Sequence, residues 1–164
     1  MYGHCDYIPS SEFISLWIVL FHKGPEFRVQ KPGPLSYGYP GGYDSHALAR
    51  INYLLRDFRT GEEHPIDPKL LDILFDVRRN FGGRGTFAVI SGYRSPKTNK
   101  QLCARSSGVA KHSLHMVGKA IDVRLIGVRT KKIQQCALGL KRGGVGFYAK
   151  SDFVHLDTGR VRHW

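Results

Sequence analysis

Residues 113–125 read SLHMVGKAIDVRL, and their second half decides the architecture of the chain. Apolar and other side chains alternate there, so that one face carries Ile121, Val123 and Leu125 and the other carries Ala120, Asp122 and Arg124. This period of two predicts a strand with one face packed on a core. We therefore expect the carboxylate of Asp122 to point away from that core.

A histidine lies on a second predicted strand, FVHLD, at residues 153–157. His155 is mid-strand, and its apolar neighbours point to the opposite face. His115 lies seven residues before Asp122, across a turn that Gly118 permits. Two imidazoles and one carboxylate from neighbouring strands supply three ligands and leave a fourth position open, as in a catalytic zinc site rather than a structural one. Taken singly, each residue is equally consistent with an ordinary hydrogen-bonded side chain.

The rest of the chain predicts helices and strands without a regular βαβ alternation. The run FISLWIVLF at 13–21 indicates a strand, and so does the segment from Thr86 to Gly92. Apolar residues at helical spacing and capping residues predict four helices: one from Ser45 that carries apolar residues from Ala47 to Phe58, one from Pro68, one from Pro96, and one near Thr130–Leu140. This order favours an α+β fold with a largely antiparallel central sheet and flanking helices.

The length of 164 residues is sufficient for one domain with its own core. We expect residues 1–44 to form an N-terminal hairpin and a Gly/Pro-rich loop, and residues 45–164 to form the functional core. The net charge of +12 indicates an anionic partner, which can be nucleic acid, an acidic membrane or a cell-wall polymer. No helix-turn-helix, zinc-finger or RNA-recognition motif is present, so we expect no nucleic acid partner.

The cysteines and the N-terminal region bear on the compartment of the protein. Cys5, Cys103 and Cys136 show no C-x-x-C spacing, which argues against a disulfide framework and a cysteine zinc knuckle, although a bridge between Cys103 and Cys136 remains open. The apolar run at 13–21 is too short to cross a bilayer as a helix, so we expect no stable membrane insertion. The residues before it contain no Lys or Arg and do not make a convincing export signal.

One motif points to a known family. Ser113, His115, Gly118, Ala120 and Asp122 fit S-x-H-x-x-G-x-A-x-D, the zinc motif of the D-Ala-D-Ala metallopeptidase group. Together with VISGYRSPKTN and RGGVGFYAKSDFVHLDTGRVRHW, the chain resembles the MepK-like murein endopeptidases over roughly residues 45–164. The resemblance implies a zinc peptidase that acts on peptidoglycan peptide cross-links in the periplasm or cell envelope, with a fold shared with lysostaphin-type enzymes and the hedgehog signalling domain. We expect a monomer.

The resemblance also implies roles for single residues. His115, Asp122 and His155 correspond to the zinc ligands. Arg94 corresponds to an arginine directed at the substrate carbonyl oxygen, where a fixed guanidinium suits the developing negative charge. Ser113 matches a substrate-binding serine, although a serine here can equally form a local turn.

Two aspartates, Asp152 and Asp157, are candidates for the general base. Asp152 stands where related carboxypeptidases carry a glutamate, and it is one methylene shorter. Residues three apart on a strand face opposite sides, so Asp152 can converge with His155 only if it belongs to the turn before the strand or to a bulge. Asp157 shares the His155 face and is the alternative, either as a second-sphere partner of the imidazole or as a competing base.

The hedgehog resemblance leaves a second function open. A domain of this kind can keep the zinc ligands His115, Asp122 and His155 and lack a working base. The alternative to a murein endopeptidase is therefore a catalytically inactive, zinc-bearing module that binds the cell wall or a protein.

Overall fold

The computed structural model describes residues 14–20, 34–39, 42–106 and 108–164. Within these ranges the strands are β1 Ile14–Leu20, β2 Pro34–Tyr39, β3 Gly42–Tyr43, β4 Phe87–Ser91, β5 Ala120–Leu125, β6 Gly144–Tyr148, β7 Phe153–Asp157 and β8 Arg162–His163. The α-helices are α1 Ser45–Leu54, α2 Pro68–Asn80, α3 Pro96–Arg105 and α4 Thr130–Leu140. Two short 3₁₀ turns, Leu114–Val117 and Ala149–Ser151, precede β5 and β7.

The strands form one sheet in the order β3-β2-β1-β4-β5-β7-β6-β8. The β1–β4 and β6–β8 pairs are parallel, and the other neighbouring pairs are antiparallel. The predicted α+β class with a largely antiparallel sheet is confirmed. The predicted strand at 13–21 is β1, and its two end residues lie outside the described ranges.

Capping residues start the helices at the predicted places. Asp44, not Ser45, caps α1, because its carboxylate accepts from the backbone N–H groups of residues 46 and 47. Asp67 caps α2, and Ser95 caps α3 through the N–H of residue 98. The prediction for the first helix was too long. Helix α1 ends at Leu54, and Phe58 lies beyond it with 38% of its surface exposed.

The core lies between one face of the sheet and helices α1, α2 and α4. Its fully buried side chains include Ile51, Leu55, Leu70, Leu71, Leu74, Phe87, Ile121, Val123, Leu125, Ile133 and Leu156. Ile121, Val123 and Leu125 of β5 all belong to the core cluster and Ala120 does not, so the predicted facing of that strand is confirmed. Asp122 and His155 consequently project from the opposite face of β5 and β7.

Neither a disulfide nor a helix long and apolar enough to cross a membrane occurs in the part of the chain that the structure describes. Cys103 and Cys136 are separate, half-buried thiols, so the bridge considered between them is not formed. Cys5 lies outside the described residues.

Candidate metal centre

Three elements bring His115, Asp122 and His155 together. Asp122 on β5 and His155 on β7 are direct partners in the antiparallel pair. His115 comes from the 3₁₀ turn that leads into β5, and Gly118 ends this turn with φ of 65°. A Cβ at Gly118 would lie 2.0 Å from the carbonyl oxygen of Pro65, so both the conformation and the contact require glycine.

The ligand atoms of these residues form a small triangle. His115 Nε2 lies 3.2 Å from His155 Nδ1 and 3.3 Å from Asp122 Oδ1. The third side, from His155 Nδ1 to Asp122 Oδ1, is 2.9 Å. All three side chains are buried, with 2–8% of each residue exposed. The sheet and the turn therefore hold two nitrogens and one oxygen close together in a protected position.

The outer nitrogen of each imidazole has an acceptor, and this fixes which nitrogen faces the centre. His115 Nδ1 lies 2.7 Å from the carbonyl oxygen of Gly92, an acceptor, so Nδ1 carries the hydrogen. His155 Nε2 likewise lies 3.1 Å from Asp157 Oδ2. In the neutral rings the lone pairs of His115 Nε2 and His155 Nδ1 consequently point at each other and at Asp122, as second-sphere partners arrange metal-binding histidines.

This arrangement fits a zinc ion. Bonds of about 2.0–2.1 Å in tetrahedral geometry place neighbouring ligand atoms roughly 3.3 Å apart, close to the sides of the observed triangle. Two imidazole nitrogens and one carboxylate also match the donor types of catalytic zinc sites, which keep a fourth position open. Within the described residues this is the group of His, Cys, Asp and Glu side chains that is arranged to hold a metal ion.

The electrostatics of the triangle favour a positive charge at its centre. Burial alone would raise the pKa of the Asp122 carboxyl, but the charges and hydrogen bonds of His115 and His155 hold it well below its usual range. Burial likewise opposes protonation of His155, yet the hydrogen bonds of Asp122 and Asp157 raise its pKa. A proton or a metal cation shared among these atoms relieves the repulsion between their lone pairs.

Asp157 supports His155 from behind. Its carboxylate is fully buried and accepts from the backbone N–H groups of Gly144 and Gly159, at 3.0 and 2.8 Å. Arg162 adds two hydrogen bonds of 3.1 and 2.7 Å. Although burial opposes ionisation, these donors and His155 hold the pKa of Asp157 well below its usual range. Asp157 is therefore a fixed anion that orients the imidazole, and it occupies the face shared with His155 that its position on the strand predicted.

A pocket of about 310 Å³ opens above the triangle. Its walls include Arg94, Ser113, Tyr148, Phe153, Arg162 and Trp164, and its floor includes the three candidate ligands. The pocket places the candidate metal within reach of a bound molecule, which a closed structural site does not do.

The chain is similar to known proteins of one family. A sequence model of the family described as peptidoglycan L,D-endopeptidase MepK matches residues 29–164. The peptidoglycan L,D-endopeptidase MepK of Escherichia coli (strain K12) is 46% identical over 123 residues, which cover 75% of this chain and 68% of that protein. The probable peptidoglycan L,D-endopeptidase MepK of Haemophilus influenzae is 44% identical over 124 residues, 75% of this chain and 67% of that protein. The chain belongs to the MepK family.

Family membership confirms the resemblance that the motif predicted, and the structure locates the remaining predicted residues.

Arg94 is mostly buried beside the triangle, with its guanidinium 3.6 Å from Asp122 Oδ2. Its hydrogen bonds to Asn99 and Ser91 are long, at 3.5 and 3.4 Å, and its buried Nε has no partner among the described residues. Arg94 is therefore a cation at the pocket wall whose two terminal nitrogens make only long hydrogen bonds within the protein.

Ser113 lines the pocket and also caps the 3₁₀ turn, where its hydroxyl accepts from the N–H of His115 at 3.4 Å. The local turn role considered for this serine is thus present in the structure. His112 is exposed at the pocket rim and does not belong to the triangle.

The structure does not bring Asp152 into the pocket. Asp152 belongs to the turn before β7, which is the position that convergence with His155 would require, and has φ of 50°. Its side chain is 65% exposed, accepts a 2.7 Å hydrogen bond from the Thr130 hydroxyl and pairs with Arg124. The backbone of Asp152 is thus where a residue directed at His155 could lie. Its carboxylate points elsewhere, because it is bound by Thr130, the first residue of α4.

Sequence reasoning missed three residues of this MepK-family site: Arg162, Tyr148 and Trp164. Arg162 neutralises the buried charge of Asp157, and the two aromatic side chains form a wall of the pocket. Gly146 carried a signal for the wall, because it lies opposite His155 on β6 and its missing side chain makes room for the Trp164 indole. A glycine inside a predicted strand often marks such a close approach.

Proposed function

We propose that this chain is a zinc-dependent murein endopeptidase that hydrolyses peptide cross-links of peptidoglycan in the periplasm or cell envelope. The observation that carries the proposal is the buried triangle of His115, Asp122 and His155 at the floor of an open pocket, in a chain of the MepK family. The net charge of +12 suits a substrate rich in free carboxylates.

The relatives' names suggest which cross-link is cut. Both are named L,D-endopeptidases, and such an enzyme cleaves between an L and a D centre. A murein cross-link between two diaminopimelate residues is of this kind, whereas a link between D-alanine and diaminopimelate joins two D centres. We therefore infer that the diaminopimelate–diaminopimelate link is the substrate.

A zinc ion held by His115, Asp122 and His155 would supply a Lewis acid for the scissile carbonyl and for the attacking water. Arg94 lies beside these ligands and its terminal nitrogens make only long hydrogen bonds, so its guanidinium suits the oxygen on which negative charge develops. Ser113 is proposed as a substrate contact because it faces the same pocket.

Asp152 is the proposed general base, and Asp157 is the orienting partner of His155. Asp157 is fully buried and already accepts five hydrogen bonds, so it has no access to a water in the pocket. Asp152 is exposed and adjoins the strand that carries His155. Its role as a base requires its carboxylate to leave the Thr130 hydroxyl.

The alternative is a zinc-bearing module that binds the cell wall without cutting it. The outward position of the Asp152 carboxylate favours this alternative, since Asp122 is the one described acid that lines the pocket and it is a proposed zinc ligand. The two functions predict different products from the same material.

The experiment is digestion of purified murein sacculi by zinc-loaded protein, followed by mass spectrometry of the muropeptides and elemental analysis of the protein. Loss of diaminopimelate–diaminopimelate dimers with about one zinc per chain supports the endopeptidase. Bound zinc with no change in any cross-linked species supports the binding module. Activity that persists at full rate in metal-free protein contradicts both.

A further inference from the structure

The pocket face of β6 and β7 carries a row of aromatic side chains next to the candidate metal ligands. Tyr148 and Phe153 are cross-strand partners whose rings stack at 4.5 Å. The next pair along the same strands on this face is Gly146 and His155. The Trp164 indole covers Gly146, where a Cβ would meet the ring at 2.7 Å, and lies 5.2 Å from the His155 ring. We call Tyr148, Phe153 and Trp164 the aromatic wall.

The backbone and one side-chain hydrogen bond fix the direction of the indole. Trp164 exchanges backbone hydrogen bonds with β6, donating to the carbonyl of Val145 and accepting from the N–H of Phe147. Its Nε1 donates to the Tyr148 hydroxyl at 3.0 Å. With these contacts made, 48% of Trp164 is still exposed, and the residue lines the pocket. A preordered, half-exposed indole inside a cleft is a typical binding anchor, because little conformational entropy is lost on contact.

The Tyr148 hydroxyl adds a polar contact to the wall. Because it accepts from the indole N–H, its own proton is left to donate, and no described residue accepts it. A carbonyl oxygen of a bound peptide is a suitable acceptor. The wall thus offers an apolar face and one donor, while Arg94 on the opposite side of the triangle offers a positive charge.

We propose that the aromatic wall determines substrate specificity, with the Trp164 indole packing against the unbranched methylene stem of the diaminopimelate residue beside the scissile bond and the Tyr148 hydroxyl donating to a peptide carbonyl. This rests on the proposed endopeptidase function. The stem is straight and apolar between charged ends, so it matches a flat indole next to a cationic pocket better than the short side chains of alanine do.

The test compares kcat and KM for a purified diaminopimelate–diaminopimelate muropeptide dimer. Trp164→Ala should raise KM on the order of tenfold, leave kcat within about threefold and leave the zinc content unchanged. Trp164→Phe should restore most of the affinity, and Tyr148→Phe should raise KM about threefold. Tyr53→Ala is the matched control, because Tyr53 is also 48% exposed and lies on α1 away from the pocket.

A purely structural role for Trp164 predicts other results. An unchanged KM in Trp164→Ala, or an equal fall of kcat in Trp164→Ala and Trp164→Phe, would overturn the proposal. If Trp164→Ala does not fold, the KM of Tyr148→Phe decides, and an unchanged KM in that variant would overturn the proposal.

A binding measurement separates this proposal from the proposed function. The chain has two tryptophans, Trp17 and Trp164, so the fluorescence difference between the wild type and Trp164→Phe isolates the indole of the wall. Addition of the dimer to metal-free protein should change this difference signal saturably. If the wild type never cleaves the dimer, the endopeptidase function is wrong, and a saturable signal still supports the wall. A flat signal overturns the wall whether or not the dimer is cleaved.

Discussion

The substitution Asp57→Asn should destabilise the protein and disturb the Arg94 loop, although Asp57 touches neither the candidate metal ligands nor the pocket. Asp57 lies just beyond α1 and is 1% exposed. Its Oδ2 accepts from the N–H of Ser95 at 2.8 Å, and its Oδ1 accepts from the N–H of Arg59 at 2.9 Å. Ser95 follows Arg94 directly and caps α3, so this buried carboxylate ties the loop of Arg94 to the end of α1.

The expected loss of stability in Asp57→Asn follows from the number of side-chain oxygens that can accept a hydrogen bond. An asparagine has one oxygen for two N–H donors that reach two different carboxylate oxygens, so its NH₂ group must face one of them. A buried donor left without a partner costs about 1–3 kcal/mol, and hydrogen bonds to a charged acceptor contribute about 1.5–3 kcal/mol each. We expect Asp57→Asn to lower the free energy of unfolding by about 2–4 kcal/mol, and turnover to fall because Arg94 loses its fixed position.

Asp44→Asn is the matched control. Asp44 also accepts from two backbone N–H groups, those of His46 and Ala47, but both reach the same oxygen, Oδ1. An asparagine can therefore take over both bonds, and asparagine is as good a helix cap as aspartate. We expect this exposed substitution to change the free energy of unfolding by no more than about 0.5 kcal/mol.

Urea denaturation of the two variants, repeated across pH, measures the effect. Burial alone would raise the pKa of Asp57, but its hydrogen bonds outweigh burial and lower it below the usual 3.8. A lowered pKa contributes stability that is present above the unfolded value and is lost as the pH falls through the folded one. The gap between wild type and Asp57→Asn should therefore be constant near neutral pH and narrow below about pH 4. Equal losses in Asp57→Asn and Asp44→Asn would refute the reasoning.

Four further predictions concern the metal, the base, the orientation of His155 and the charge. His155→Ala should abolish zinc retention in elemental analysis together with activity, and full zinc occupancy in this variant would place the metal elsewhere. Asp152→Asn should keep zinc yet lose on the order of 10²–10⁴-fold in turnover. Asp157→Asn, which disturbs the orientation of His155, should instead weaken zinc binding roughly 10–100-fold in a chelator titration. Near wild-type turnover in Asp152→Asn would mean that it is not the base. Binding to sacculi in co-sedimentation should weaken with salt, because exposed charges are screened over about 8–10 Å at physiological ionic strength, and a flat salt response would contradict a role of the net charge.

Features that depend on local periodicity could be predicted from the sequence. The alternation in β5 placed Asp122 opposite the core, and α4 has the bounds that its apolar spacing predicted. The same parity placed Asp157 on the face of His155, where the structure has it. In each case the sequence pattern that carries the prediction lies within a few consecutive residues.

Features that depend on distant partners could not be predicted. The Asp152 turn was anticipated, but its side chain is directed by Thr130, which is 22 residues away on another element. Trp164 reaches the pocket only because β8 pairs with β6 in parallel and Gly146 leaves room. Strand order and register of this kind are set by the whole sheet and not by the local sequence.

Because Asp122 and His155 are direct partners on β5 and β7, the candidate centre forms only when these two strands pair in the correct register. The two residues are 33 positions apart, and a slip of one residue between β5 and β7 would turn one of them into the core. A slip of two would move the carboxylate roughly 7 Å from the imidazole, too far to share an ion. Only the native register brings these ligand atoms together, so an ion bound there would stabilise the correctly paired chain over misregistered ones by RT ln(1 + c/Kd), where c is the free concentration of the ion.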